Sequence, residues 1–343
     1  MRKLLNTLYI TNPDVYLSRE GEQVVVKNEG KKSIAVPIHN LEGIISFGYC
    51  GASPALMGLC AEKGVSVTFL TEYGKYLASV QGPFSGNILL RKEQFRIAED
   101  SERRLGVSVN FIVAKIMNSR TVLKRAIRDY EEIAGKQQIS FVVERLGRQA
   151  ENARHALNED ELRGIEGDAA KMYFGVFDNL ILHEKESFFF HGRSRRPPLD
   201  NMNALLSFTY VLLAHEVKSA IEAVGLDPAA GFFHKDRPGR NGLALDMMEE
   251  LRAYLADRFV LSLVNRRQVS AKDFVVKENR AILMDDDMRK KLLTEWQKRK
   301  RIDIKHPYTK EKISLGLLPY IQAQLMARFI RGDIDGYPPF LWR

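Results

Sequence analysis

The hydrophobic period of this chain changes once, near GPFSGN at residues 82–87, and that change bounds its architecture more tightly than any other feature. Before it come VYLS, QVVV, SIAVPI, LEGIISF, VSVTFL and KYLASVQ. Such β-branched runs read as strands, because branched side chains fit a pleated, half-buried surface. Glu20-Gly21 and Asn28-Glu29-Gly30 separate the first of them and have the composition of hairpin turns. Ser53-Pro54 opens a short helix, SPALMGLCAEKG, which Gly64 stops. Beyond the change, apolar residues recur at helical spacing to about Val264. Helices are expected near 88–98, 105–134, 137–156, 160–182, 201–224 and 243–264, then a hairpin, FVVKENRAILM. DMRKKLLTEWQKRK, a last helix at about 316–331 and a YPPFLWR tail complete the chain. The fold class is α+β, with a β-rich N-terminal domain over 1–85 and a larger, mostly α-helical domain over 86–343.

An apolar content of 45% over 343 residues is enough to bury a full core. Cys50 and Cys60 both sit in apolar surroundings, which implies buried free thiols and a reducing, cytoplasmic compartment. The opening MRKLLNTLYI is short and broken by Asn6, and no small-residue cleavage site follows, so no signal peptide is read. No apolar run approaches about 18 residues, so no membrane span is expected. The net charge of +9 and pI near 9.4 point to a polyanionic partner, with mere solubility as the plainer alternative. No long basic helix has a strong apolar face, which favours nucleic acid over a lipid surface.

Residues 231–252, GFFHKDRPGRNGLALDMMEELR, hold one histidine and a cluster of acids. Pro238, Gly239, Asn241 and Gly242 force a loop, and a helix follows. Asp246 and Glu249 are three apart, Asp246 and Glu250 four apart, so these carboxylates share a face and repel unless a cation offsets them. His234 lies upstream, on a loop able to fold back over that turn. The competing reading is an exposed acidic helix start with an incidental histidine. A second element is LRGIEGDAAKMYF, where Glu166 borders an apolar stripe among Gly164, Gly167, Ala169 and Ala170. Such a carboxylate needs a partner, unless it is simply a surface Glu. Together Glu166, His234 and Glu249, with Asp246 nearby, make an oxygen-rich set with one imidazole, suited to Mg²⁺ or Mn²⁺. With a nucleic acid partner the matching chemistry is phosphodiester cleavage or transfer. Asp285-Asp286-Asp287 precedes a helix and reads as a cap rather than a cation site. Arg237 and Arg240 share the histidine loop, HGRSRRPP carries Arg193, Arg195 and Arg196, and WQKRKR adds four more bases. Each run is a candidate phosphate contact or a solvated surface.

GIEG with Lys171, Tyr173 and Phe174 behind it, then RPPLDNMNALL, then GFFH…RPGR…LALDMMEELR, resemble in order and spacing the CRISPR-associated integrase family Cas-one. The resemblance covers nearly the whole chain. It implies an N-terminal β-sandwich, a helical catalytic domain and a homodimer built through the N-terminal domains. It also implies a small companion subunit of the Cas-two family. The implied activity is that of a metal-dependent DNA endonuclease and integrase: a 3′-hydroxyl on a DNA duplex attacks a CRISPR-array phosphate, inserting a new spacer. The implied metal ligands are Glu166, His234 and Glu249, with Asp246 as active-site support. Glu249 stands where some members carry Asp, which leaves the ligation geometry open. Tyr210 matches a family tyrosine, although Ser207, Phe208 and Thr209 depart from the usual pattern. Lys171, Arg193, Arg195, Arg196, Arg237, Arg240 and Tyr210 are the candidate DNA-binding residues. The alternatives are a non-catalytic basic scaffold and a generic metal-dependent phosphodiesterase.

Overall fold

The computed structural model describes residues 5–72, 74–80, 82, 88–194 and 197–342. The chain forms two compact units, and they do not correspond to a single cut near residue 85. One unit comprises Met1–Gly86 with Asp286–Ile304 and Ile313–Leu317; the other comprises Asn87–Asp285, Lys305–Lys312 and Leu318–Arg343.

In the first unit, β1 (Asn6–Ile10), β5 (Leu41–Phe47), β7 (Ser66–Leu70) and β8 (Tyr76–Val80) form one four-stranded sheet in that order. The other sheet runs β4 (Lys31–Pro37), β3 (Gln23–Asn28), β2 (Val15–Glu20), β6 (Gly51–Ala52). Both hairpin turns expected from the sequence form. Glu20 pairs with Gln23 across a turn in which Gly21 takes φ +60°. Glu29 and Gly30 both take positive φ, +50° and +75°, as a type I′ turn requires. β1 was not among the expected strands. It pairs in parallel with β5, so no turn adjoins it to mark it.

Leu17, Val24 and Val26 of one sheet, Ile10, Ile44 and Val67 of the other, and Leu56, Leu59 and Cys60 of α1 (Pro54–Lys63) share one core. The structure is thus a β-sandwich with a helix added. Each side chain so buried contributes about 1.5–3 kcal/mol. Ser53 caps α1, accepting from Leu56 N–H, and Gly64 ends it at φ +68°. Cys50 and Cys60 are free and buried, and burial pushes the Cys60 thiol up to about 11. The late helix α9 (Asp286–Lys300) belongs to this unit because Trp296, Leu292 and Leu293 bury there and Arg289 donates to the Glu72 carbonyl. Asp286 and Asp287 occupy its first turn and pair with Arg289 and Lys290. The basic run at its end is not wholly surface, since Lys300 is buried.

The second unit is built on α3 (Ser101–Asp129), whose Val107, Phe111, Ala114, Asn118 and Val122 make one buried stripe at helical spacing. Asp100 caps it, accepting from Glu102 and Arg103 N–H at 3.0 and 3.1 Å. α4 (Lys136–Arg154), α5 (Glu159–Gly175) and α7 (Gly242–Arg252) pack on α3, and α6 (Asn201–Ala223) packs on α7. α2 (Ile88–Glu99), α8 (Arg258–Asn265), the short hairpin β9 (Phe274–Val276) and β10 (Ile282–Met284), and α10 (Leu318–Ile330) complete the unit. The expected helix over 243–264 is two helices joined by a wider π turn, Ala253–Asp257. Among the described residues α6 alone is long and apolar enough to cross a membrane, but 56% of its most apolar window is buried within the protein.

The tail is strapped into this unit. Glu250 of α7 accepts from Phe340 N–H at 2.6 Å, from Tyr337 Oη and from Gln322 Nε2 at 3.1 Å. Asn118 of α3 donates to Phe340 O at 2.8 Å and accepts from Trp342 N–H at 2.8 Å. The guanidiniums of Arg125 and Arg258 both stack on the Trp342 ring, at 4.0 and 4.1 Å from its centroid.

Candidate active site

Residues 231–234 and the start of α7 are held together by one carboxylate. Asp246, fully buried, accepts from Phe232 N–H at 2.6 Å and Phe233 N–H at 3.0 Å through Oδ2. Its Oδ1 takes His234 N–H at 2.9 Å and His234 Nδ1 at 2.6 Å. With Nδ1–H donating to a carboxylate, the imidazole presents a lone pair at Nε2, the arrangement that orients metal-binding histidines. Asp246 therefore acts as the orienting group: both its oxygens are committed to the loop.

Gly231 and Gly242 make this possible. A Cβ on Gly231 would lie 2.6 Å from Gly242 C and 2.9 Å from Asp246 Oδ2, and one on Gly242 would lie 2.8 Å from Ala229 O. Only two glycines let the backbones approach so closely. Gly231→Ala is expected to lower unfolding free energy by about 1–3 kcal/mol, as overpacking does. Chemical denaturation would measure it, and catalysis should fall with it. Buried Gln94 of α2 braces the same loop, donating to Asp227 O at 2.7 Å and Ala230 O at 2.9 Å.

Glu249 sits one turn beyond Asp246, with its side chain 5% exposed. Its Oε1 lies 2.9 Å from Arg252 Nη2 and its Oε2 lies 2.8 Å from Lys115 Nζ. Burial pushes its carboxyl up, but Arg252, Lys115 and His234 outweigh that and hold it at about 2. The same Lys115 ammonium donates to Glu166 Oε1 of α5. Glu166, Lys115, Glu249 and Arg252 thus form a chain of alternating charge spanning α5, α3 and α7. One turn before Glu166, Arg163 donates to Phe233 O at 3.3 Å, which ties α5 to the histidine loop.

Behind these lies a second buried layer. The guanidiniums of Arg252 and Arg193 both lie over the Tyr210 ring, at 4.9 and 5.0 Å from its centroid. Tyr210 Oη donates to Asp257 Oδ1 at 2.5 Å, and Tyr173 Oη donates to Oδ2 at 3.0 Å. Asp257 is placed there by the π turn, a distortion that recurs at functional sites. Burial raises its carboxyl, and it raises both tyrosines well above their ordinary value. A cavity lined by Lys115, Ser119, Ala169, Tyr173, Arg252 and Asp257 adjoins the charged chain.

The residues singled out from sequence fall into distinct places. Glu166, Glu249 and the His234–Asp246 pair are gathered in one neighbourhood. Among the described residues no three His, Cys, Asp or Glu side chains already converge as a ligand cage, because Lys115 stands between the two glutamates. The donor set nevertheless fits a hard divalent cation: two carboxylates, one oriented imidazole, and a buried Glu249 Oε2 that lacks a well-aligned hydrogen bond. The reading of an exposed acidic helix start is overturned, since Asp246, Glu249 and Glu250 are all buried. Glu250 does not share the site; it faces the tail. Arg237 and Lys171 are exposed and Arg240 is half-buried, all free of carboxylate partners among the described ion pairs. Arg193 is drawn inward onto Asn203 and Tyr210. Arg195 and Arg196 lie outside the described residues. Sequence reasoning missed Lys115, Arg252 and Asp257. A lone base in the apolar run FIVAKIM was the available signal for Lys115.

Residues 8–298 match the family model described as CRISPR associated protein Cas1. A relative from Chlorobaculum tepidum, named CRISPR-associated endonuclease Cas1 1, is 50% identical over 343 residues, covering 100% of both chains. The fold is also that of a casposase bound to integration product, with TM-score 0.85, 23% identity, and 99% and 95% of the two chains covered. A chain of a Cas6-RT-Cas1–Cas2 complex matches at TM-score 0.82 and 20% identity, over 100% of this chain and 36% of that one. A match to the family model over most of the sequence, with a half-identical relative aligned end to end, means that this chain belongs to the Cas1 family of CRISPR-associated proteins.

Proposed function

We propose that the chain is a divalent-metal-dependent DNA endonuclease and integrase of CRISPR adaptation, with Glu166, His234 and Glu249 as its metal ligands. The observation that carries this reading is the sharing of Lys115 by two carboxylates from α5 and α7, with an imidazole whose Nδ1 is fixed by Asp246 near enough to help lower the Glu249 carboxyl. The relative named as an endonuclease and the likeness to a casposase bound to integration product support it. Mg²⁺ or Mn²⁺ held there would neutralise charge developing on the phosphate and on the departing oxygen.

The reaction exchanges one ester for another. The oxygen of a DNA 3′-hydroxyl bonds to phosphorus of the target backbone, and the bond from that phosphorus to the target's own 3′ oxygen breaks. The attacking hydroxyl loses its proton and the departing oxygen gains one. Water in place of the hydroxyl makes the same step a hydrolysis. Within the protein, Asp246 keeps His234 in one tautomer and Arg252 keeps Glu249 in place. Arg237, Arg240 and Lys171 meet the DNA backbone, which positions the duplex without reading sequence. The strand-rich unit forms the homodimer and a Cas2 protein is the companion.

A strand-transfer assay tests the proposal. A short duplex with free 3′-hydroxyls, incubated with supercoiled plasmid carrying a CRISPR repeat and the Cas2 companion, should join covalently in Mg²⁺ or Mn²⁺. Dideoxy-terminated duplex or EDTA should abolish joining. Undiminished joining in EDTA would contradict the proposal.

A further inference from the structure

Lys115 is set on the longest helix of the helical unit, between buried Ala114 and Ile116. Its side chain is 13% exposed and pairs with Glu166 and Glu249, which come from two other helices. A single ammonium therefore bridges two carboxylates that would otherwise repel. The hold on Glu249 is imperfect, because Nζ lies 2.8 Å from Oε2 outside hydrogen-bond alignment. Arg252 grips the other oxygen independently, so Glu249 keeps its position whether or not Lys115 remains. Glu166 is 23% exposed, so an ion can reach its carboxylate from solvent.

We propose that Lys115 is an internal counter-cation which competes with the divalent ion for Glu166 and Glu249 and is freed when that ion binds. This rests on the metal-ligand reading above and adds to it a residue that sets the site's affinity. A doubly charged ion between two carboxylates interacts more strongly than one ammonium, so it displaces the side chain. The four-carbon stem of lysine lets the charge move while the helix stays still. The device keeps the two acids paired before loading and makes loading depend on ion concentration. Once displaced, the ammonium is a phosphate-binding cation beside the site.

Mn²⁺ binding without DNA, followed by electron paramagnetic resonance, tests this on wild type, Lys115→Met and His234→Ala. Lys115→Met is expected to bind Mn²⁺ about tenfold more tightly than wild type, because a competing charge is gone. Its melting temperature in EDTA should fall, and Mn²⁺ should raise it by more than in wild type. Unchanged or weaker Mn²⁺ binding by Lys115→Met, with wild type binding and His234→Ala impaired, overturns the inference and leaves the metal-ligand reading standing. Equal binding by wild type and His234→Ala overturns both. A measurement on the wild-type chain guards against a variant that does not fold. Reductive methylation of Lys115, read by mass spectrometry, should be slow in EDTA and several-fold faster in saturating Mg²⁺, because the ion-paired, 13% exposed ammonium is shielded from the reagent until it is freed. Equal rates overturn the inference.

Discussion

His234→Ala is expected to lower strand transfer by about 10³-fold or more, in the range that loss of metal-assisted catalysis produces. Affinity for DNA should stay within about threefold, since backbone contacts from bases dominate binding. On the proposed reading His234 would supply the nitrogen ligand of the set, and its ring is held by Asp246 Oδ1 and an edge contact with the Phe233 ring at 5.6 Å. Removing the ring leaves the three backbone N–H groups on Asp246 intact, so the loop survives. Asp246→Asn should behave differently. It places an amide among donors, and unpaired buried donors cost about 1–3 kcal/mol each. Circular dichroism and strand transfer measured together separate the two: His234→Ala folds and fails to react, whereas Asp246→Asn loses stability as well. Near-normal transfer by folded His234→Ala would remove the imidazole from the mechanism.

Glu250→Ala is expected to lower unfolding free energy by about 3–5 kcal/mol, the range for breaking a buried polar network. The change strips acceptors from Gln322, Tyr337 Oη and Phe340 N–H at once and releases the tail from α7. Urea denaturation gives the number. A loss under about 1 kcal/mol would mean that the tail is held mainly by Asn118 and the Trp342 stack. Burial pushes the Glu250 carboxyl up to about 7, against the lowering effect of Tyr337, Phe340 N–H and Gln322. Its protonated form is thus favoured by folding. The corresponding stability is present below the unfolded value of about 4.3 and is lost as pH rises towards 7, an effect of up to about 3 kcal/mol. Glu250→Gln should flatten that part of the pH–stability profile. Glu249 has the opposite sign: held at about 2, it contributes stability above about pH 4.3 that disappears as pH falls.

Much of the fold was legible because it is local. The two hairpin turns, the Ser53 cap and the helical stripe of α3 each depend on residues within a few positions of one another, and each forms as read. What is not local was missed: β1, whose parallel partner lies over thirty residues away, and the affiliation of α9 with the strand-rich unit. The π turn at Ala253–Asp257 was invisible because one extra residue in a helical turn barely disturbs an apolar period.

The same division holds at the site. Residue type and spacing determined that Glu166, the GFFH histidine and the acids of LALDMMEELR carry the candidate chemistry, since carboxylates and one imidazole are what a hard cation needs. Only the tertiary structure decided their roles. Glu249 and Glu250 are adjacent and identical in kind, yet one meets Lys115, Arg252 and His234 while the other meets a tyrosine, a glutamine and the chain's own tail. A helix turns about 100° per residue, so neighbours face different surroundings, and it is the surroundings that set a carboxylate's charge and partners.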